Sequence, residues 1–391
     1  YVAVSEMASS KSSSNLKPNK IQTAVMSALA AMSLSQTAIA VSVDDANVDN
    51  AAGTTITGTK GYGVKLDTGG PYTVANSGEI SSTDAATEIG IQLVGPTITS
   101  LVNTSTGVIR GDATSGTNGL GISLRSTSNI NVLSNAGVIS GSAAFFLAYG
   151  IRLKFTSAIN TLTNTGTING SAGSSSGFGI HLDDTSSINT LTNSGTIDGF
   201  AGSAPGQAIR VSDKSVITTL TNTGTISGTG GSFSGMGIRL DDTSTINTLT
   251  NSGTILGLAG ASSGYGLYLD DASTINTLTN SGTIDGSARS RNNGYGLNLN
   301  DASSITTLSN TGTINGSAGA SKGTGLNLDD TSTITTLTNT GTINGSAGVN
   351  SGNGFLLSDK SVITTLTNSG TISGSAGASK GTGLNLDDTS T

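Results

Sequence analysis

Eight aspartates recur at near-constant spacing: Asp184, Asp213, Asp242, Asp271, Asp301, Asp330, Asp359 and Asp388. Carboxylates stacked in this way repel one another unless they are solvated, hydrogen-bonded to turn N–H groups or neutralised by cations. The glycine-rich nonapeptide of calcium-binding β-rolls is missing. Turn capping is therefore the first expectation for this column, and calcium the second. Arg152, His181, Arg210 and Arg239 form another recurrent set, with Lys154, Asp183, Ser212 and Asp241 two residues further on. Such a basic stripe reads either as a solvated, partly paired face or as a strip that meets anionic glycans or lipopolysaccharide. His181 is the sole histidine, and no carboxylate pair stands apart from its column. Repeats this uniform offer no unique pocket, so catalysis is not expected, and no catalytic, cofactor-binding or metal residue is assigned beyond the calcium alternative.

The elements that position these residues follow from a repeat. Glycines of N-x-G turns or their nearest equivalents, from Gly78 through Gly195 to Gly370, mark eleven units of 29 residues with occasional one-residue insertions. A period in this range means a solenoid, a propeller or an array. Within Gly177 to Gly199, Phe178, Ile180 and Leu182 alternate with small or polar residues, Leu191 and Asn193 alternate again, and Ile197 lies in a third short stretch. Period-two alternation is strand patterning, and DDTS, N-x-G and a Gly/Ser-rich segment separate the stretches with turn chemistry. Propeller blades need four strands in about 40 residues, and there is room for three. The expected fold is all-β, a right-handed parallel β-helix of about eleven coils, a rod on the order of 50 Å long at ~4.8 Å per coil.

In such a rod each position becomes a column. Six side chains per coil, Phe178, Ile180, Leu182, Ile188, Leu191 and Ile197 in the coil above, are expected to point inward. The column Tyr62, Ile89, Leu120, Tyr149, Phe178, Gln207, Met236, Tyr265 and Tyr295 precedes the Ile180 column by two residues and is expected in the core, although its late members Thr324, Asn353 and Thr382 fit a core poorly. Asn135, Asn164, Asn193, Asn222, Asn251, Asn280, Asn310, Asn339 and Asn368 read as a structural amide ladder beside the turn glycine. Paired threonines such as Thr190 and Thr192, or Thr248 and Thr250, flank an inward Leu in T-L-T and lay out a lattice similar to the ice-binding face of β-helical antifreeze proteins. Threonine is also simply well suited to an exposed strand.

Composition removes other classes. With 24 Asp+Glu against 17 Lys+Arg, the chain lacks the basic balance of a nucleic-acid binder. It has no cysteine, which excludes disulfide scaffolds, zinc-thiolate sites and thiol catalysis. Residues 1–40 read as a secretory signal peptide: Lys11, Lys17 and Lys20 precede an apolar stretch from Ile21 to about Leu34, and QTAIA ends it before Val41. Met7 is a plausible start. The expected organisation is this signal followed by one repeat domain over 41–391, degenerate to about residue 140 and regular over 141–391.

TLTNTGTINGSAG and its variants resemble passenger domains of bacterial type V autotransporters of the adhesin-like, Gly/Ser/Thr/Asn-rich kind, and the likeness covers about residues 41–391. The resemblance implies export through the periplasm of a Gram-negative bacterium, display at the cell surface, a non-catalytic stalk or adhesin role, and contacts with host or bacterial surface glycans or proteins. It implies membrane attachment only through a C-terminal β-barrel, which this sequence does not contain; residues 374–391 repeat 316–333, and a fragment of a longer protein is expected. Pectin-cleaving β-helices are similar in coil architecture, so a glycan-processing role is an alternative, but their insertions carrying Asp, Arg and Lys have no counterpart here.

Overall fold

The computed structural model describes residues 38–39, 43–58, 60–82 and 88–391. The expected signal segment and Met7 lie outside these residues, apart from Ala38–Ile39, which pair in parallel with Thr55 and Ile56. The described chain contains no helix long and apolar enough to cross a membrane.

Each regular coil contributes one strand to each of three parallel sheets. In the coil used above these are Gly177–Leu182 in the first sheet, Ser187–Asn193 in the second and Thr196–Ala201 in the third. The first and third sheets have 13 strands and the second has 12, every strand paired with its equivalent one coil earlier and later. The fold is thus the expected parallel β-solenoid, with degenerate rungs preceding the first N-x-G turn. Register is exact in the sense that like meets like: Ile188 lies opposite Ile217, Leu191 opposite Leu220 and Asn193 opposite Asn222. A single apolar column from each inward position fuses into one continuous core, because one coil alone buries too few side chains to offset ordering 29 residues.

Five of the six expected inward side chains, Ile180, Leu182, Ile188, Leu191 and Ile197, are in that core. Phe178 is not. Strand alternation breaks at Gly179, which faces inward together with its neighbour Ile180; a Cβ at Gly179 would lie 2.7 Å from Ile197 Cγ2 and 2.6 Å from the Ala208 carbonyl oxygen. Two successive inward residues direct Phe178 away from the main core and into a second cluster. Ala208 occupies the equivalent position one coil on and fits its methyl into the core, so the break depends on a small residue rather than on glycine alone.

Beyond the core, the end of the third-sheet strand and the start of the next first-sheet strand continue back to back. A Cβ on Gly199 would meet the Gln207 carbonyl oxygen at 1.8 Å, so the two backbones are in direct contact with no side chain between them. Ala113, Ala143, Ala148 and Ala172 fill what little space remains. This flat fin ends in the Gly/Ser-rich loops.

The asparagine ladder is buried and continuous. Nδ2 of each residue donates to Oδ1 of the next, at 2.7 Å from Asn164 to Asn193 and 2.8 Å from Asn222 to Asn251. The remaining amide hydrogen reaches two carbonyls, Gly166 at 3.2 Å and Thr196 at 3.1 Å in the case of Asn164. The ladder extends further toward the N-terminus than the regular repeat, through Asn103, Asn76 and Asn50, where Thr54 Oγ1 lies 2.7 Å from Asn50 Oδ1 and closes it.

Substituting Asn251 with Leu strands the Asn222 donor and the Asn280 acceptor in the dry interior. We expect a loss of about 2–4 kcal/mol, measured by chemical denaturation with the β-rich circular dichroism retained; an unchanged midpoint would contradict the ladder's structural role.

Candidate functional site

The first sheet carries the expected basic stripe, and its register brings the stripe together: Arg152 opposes His181, His181 opposes Arg210, and Arg210 opposes Arg239. All lie outside the core. Their charges are matched diagonally, each arginine reaching an aspartate of the following coil. Arg152 Nη2 is 3.4 Å from Asp183, Arg210 Nη2 is 2.8 Å from Asp241, and Arg239 Nη2 is 3.5 Å from Asp270 as well as 3.1 Å from Asp241. Lys154 Nζ lies 3.3 Å from both Asp183 and Asp184. The geometry supports the paired-face reading of the stripe, because its cations already have carboxylate partners.

The aromatic column is largely buried as expected, its members from Ile89 to Phe178 forming a second apolar cluster beside this stripe, separated from the main core by the bend at Gly179. Phe178 stacks on His181 at 4.8 Å and on Tyr149 at 5.1 Å. The Arg152 guanidinium sits 4.6 Å above Tyr149 and that of Arg239 5.4 Å above Tyr268; Tyr268 in turn stacks on Tyr265 at 4.7 Å. Two adjacent columns therefore zip into a largely covered seam of stacked rings and guanidiniums that flanks the main core. The polar late members Thr324 and Asn353 are buried too, Thr324 completely and with Oγ1 lacking a hydrogen-bond partner among the described residues. Thr324 and Asn353 follow Tyr295 along the seam, and the neighbouring column continues as amides, Asn327 donating to Asn298 at 2.7 Å.

His181 is covered by this seam, with Nε2 3.2 Å from Ser212 Oγ and Nδ1 without a partner. Burial, reinforced by Arg210, pushes its pKa down to about 3, so the ring is neutral at ordinary pH. It is packing material in a cationic neighbourhood.

The aspartate column occupies tight turns. Asp184 and Thr185 both have positive φ, 53° and 62°, and the Ser186 N–H donates to the Asp183 carbonyl at 3.3 Å, the pattern of a type I′ turn. Aspartate tolerates the left-handed region better than most residues, which explains the column through its backbone. The expected capping of turn N–H groups by these carboxylates is corrected: the turn amides are reached by the preceding aspartate, as in Asp330 N–H to Asp329 Oδ1 at 3.2 Å, or by the serine of the next coil, as in Ser186 N–H to Ser215 Oγ at 3.1 Å. A buried serine column not singled out from the sequence, Ser128, Ser157, Ser186, Ser215, Ser244, Ser273 and onward, completes the turn, Ser186 Oγ donating to the Asp183 carbonyl at 2.6 Å. Its signal was the serine that follows every left-handed pair.

No protein-family model, curated protein or solved structure matches this chain.

Carboxylates of adjacent turns approach closely in three places: Asp183, Asp184 and Asp213; Asp270, Asp271 and Asp301; Asp329, Asp330 and Asp359, with one oxygen from each residue of a trio lying within 4.8 Å of the others. These trios are the residues that could hold the calcium of the alternative reading. In the first, Lys154 supplies positive charge directly, and the hydrogen bond between Asp183 and Asp213 divides a proton unequally. That bond, with burial and the nearby Asp183 and Asp242 charges, lifts Asp213 to about 6. Burial works against the Asp183 charge, but its hydrogen bond with Asp213, His181 and Lys154 hold it at about 2.

Exposed phenylalanine is the other departure from the expected uniformity. Phe145, Phe146, Phe155, Phe200 and Phe233 are all exposed, five of the seven phenylalanines in the chain. Large apolar side chains grouped on a surface mark contact sites more often than chance.

Because the native Asp213 carboxyl holds its proton up to about pH 6 and an unfolded one only to about 4, its contribution to stability is complete below pH 4 and disappears as pH rises through 6. His181 works in the opposite sense, its contribution fading as pH falls from about 6.5 toward 3, but it is common to both proteins in a comparison. Asp213→Asn keeps the turn and removes the ionisation. We expect it to raise the Tm relative to the parent at pH 7.5 and to leave it unchanged at pH 4; equal Tm at both values would refute the shared proton.

Proposed function

We propose that this chain is the β-helical passenger segment of a type V autotransporter, displayed at the surface of a Gram-negative bacterium as a non-catalytic stalk or adhesin. One observation carries the reading: an unbroken in-register core and amide ladder run the length of the described solenoid, so coils can be added without altering the cross-section. Such a rod is suited to spanning distance. Variable side chains are confined to loops and outer faces, where contacts with surface glycans or proteins are made without disturbing the core. The absence of cysteine agrees with a chain that crosses the periplasm unfolded.

A second reading rests on the second sheet. Its strands from Tyr72–Asn76 to Val362–Asn368 contain no charged residue, and two threonine columns stand in register on it, Thr190 opposite Thr219 and Thr192 opposite Thr221. A neutral lattice of hydroxyls and methyls is suited to a periodic surface such as ice.

Display of residues 41–391 on a non-adherent bacterium, fused to an autotransporter barrel, is expected to cause cell aggregation or attachment to host cells or glycan-coated surfaces. Failure of a surface-displayed, protease-resistant rod to do either, together with reducing-sugar release from a polysaccharide panel, would transfer the assignment to glycan processing. Thermal hysteresis by the purified chain, abolished by Thr248→Lys, is the outcome the second reading expects.

A further inference from the structure

The fin loops form one continuous edge. Each is tied to the one before it by a backbone hydrogen bond: Gly173 N–H to Ala143, Gly202 to Ala172, Gly231 to Ala201, Gly260 to Gly230, Arg289 to Ala259 and Gly319 to Ala288, all between 2.8 and 3.0 Å. The ten loops from 114–118 to 377–380 therefore stack into an edge about 40 Å long at ~4.8 Å per coil.

Not one of these ten loops contains Asp or Glu, in a chain with 24 acidic residues and a net charge of −7. The acids gather at the other end of the first-sheet strands, on the type I′ turns. Nearest to the fin are Glu88, buried at the start of a first-sheet strand in register with Gly119, and Asp112, Asp198 and Asp285 on the third sheet, of which Asp112 and Asp285 are engaged. Asp112 pairs with Arg110 at 3.1 Å, and Asp285 accepts from Asn315 Nδ2 at 2.6 Å and Ser287 Oγ at 3.1 Å. Asp198 is largely covered, and burial raises its pKa.

What the edge presents instead is sorted along its length. Phe145, Phe146 and Phe233 in the loops, and Phe200 on the third-sheet strand two residues before its loop, are 64%, 46%, 51% and 40% exposed. Residues 143–148 are wholly apolar, reading Ala-Ala-Phe-Phe-Leu-Ala. No charge of either sign appears in the loops from 144 to 263. Further along come Arg289, Arg291, Lys322 and Lys380, all exposed. None has an ion-pair partner among the described residues, in contrast to the arginines of the seam.

A stretch of exposed rings followed along the same edge by a stretch of cations, with no acid in the ten loops, is the surface chemistry of a protein edge that lies on an anionic bilayer. Rings enter the headgroup boundary and cations meet lipid phosphates. We infer that the fin edge docks peripherally onto anionic lipid membranes, with the aspartate turns facing away from the bilayer. A charged polysaccharide would use the cations and leave four phenylalanines in water, and the aspartate turns of a second copy would meet the cations while offering the phenylalanines no exposed large apolar side chain beyond Phe155. This contact differs from anchoring by a downstream barrel and does not depend on the passenger assignment.

The test is co-sedimentation of purified residues 41–391 with phosphatidylglycerol/phosphatidylcholine vesicles and with phosphatidylcholine vesicles, folding being checked by circular dichroism. Binding to the anionic vesicles is expected to exceed binding to neutral ones at least tenfold and to weaken with salt. Phe145→Ser/Phe146→Ser/Phe200→Ser/Phe233→Ser is expected to lose tenfold or more. Arg289→Ser/Arg291→Ser/Lys322→Ser/Lys380→Ser is expected to remove the salt dependence. Phe155→Asp, exposed on the opposite edge, is expected to bind as the parent does. The inference is overturned if the parent ignores anionic vesicles, if either fin variant binds as the parent does, or if Phe155→Asp is the change that abolishes binding.

Discussion

Everything in this molecule depends on lateral register, and the interaction that fixes register is the hydrogen bond between one buried asparagine amide and the next, 2.7–2.8 Å at each step. An apolar column tolerates sliding, because one methyl can replace another. An amide column does not. Each asparagine uses one N–H on the next amide and the other on two turn carbonyls, so a slip of one residue would place donors against methyl groups in a water-free interior. The ladder also has a direction, every amide donating toward the C-terminal coil, which defines which face of a coil accepts its successor.

Once like is forced to meet like, each residue type pays or gains according to how well it tolerates its own copy overhead. Isoleucine and leucine gain. Aromatic rings gain when the coils place them face to face, as with Tyr265 and Tyr295 at 5.3 Å. Carboxylates lose, and the fold relieves them by three separate means. Diagonal pairing puts Arg210 against Asp241 one coil on, hydrogen bonding lets Asp183 and Asp213 share a proton, and the type I′ turns hold the remaining side chains in solvent.

Periodicity made the solenoid legible: the 29-residue spacing, the two-residue alternation and the asparagine column identified the three sheets and five of six inward positions. Alternation rightly buried Phe178 but placed it in the main core, whereas it lies in a second cluster because Gly179 and Ile180 both face inward, and a bend of that kind leaves no trace in a hydrophobicity pattern. The serine column was hidden for a different reason. Serine in D-D-T-S is ordinary turn composition, and only the left-handed φ of the two residues before it shows that its hydroxyl closes the turn. The fin was hidden as well, since Gly-Ser-Ala sequences look like flexible loops. Here they are two backbones pressed together, with glycine needed at Gly199 for the contact itself.

Repetition and specificity are separable in this architecture. A column that runs unbroken through the core answers to packing and cannot vary without cost, whereas a column on the outside can change residue at any coil and alter nothing beneath it. Phenylalanine at 200 replaces the serine of the coil before it, with Ser171 and Phe200 paired in the same register as every other strand position. Phenylalanine at 155 occupies a turn position held by aspartate one coil later and adopts the same left-handed φ, 55° against 53°. The backbone registers neither exchange. Surface chemistry is thus written as departures from the repeat, and the places where outer columns break are where contact chemistry concentrates: an aromatic stretch and a cationic stretch on one edge, an acidic series on the other, both carried by a core that is the same in every coil.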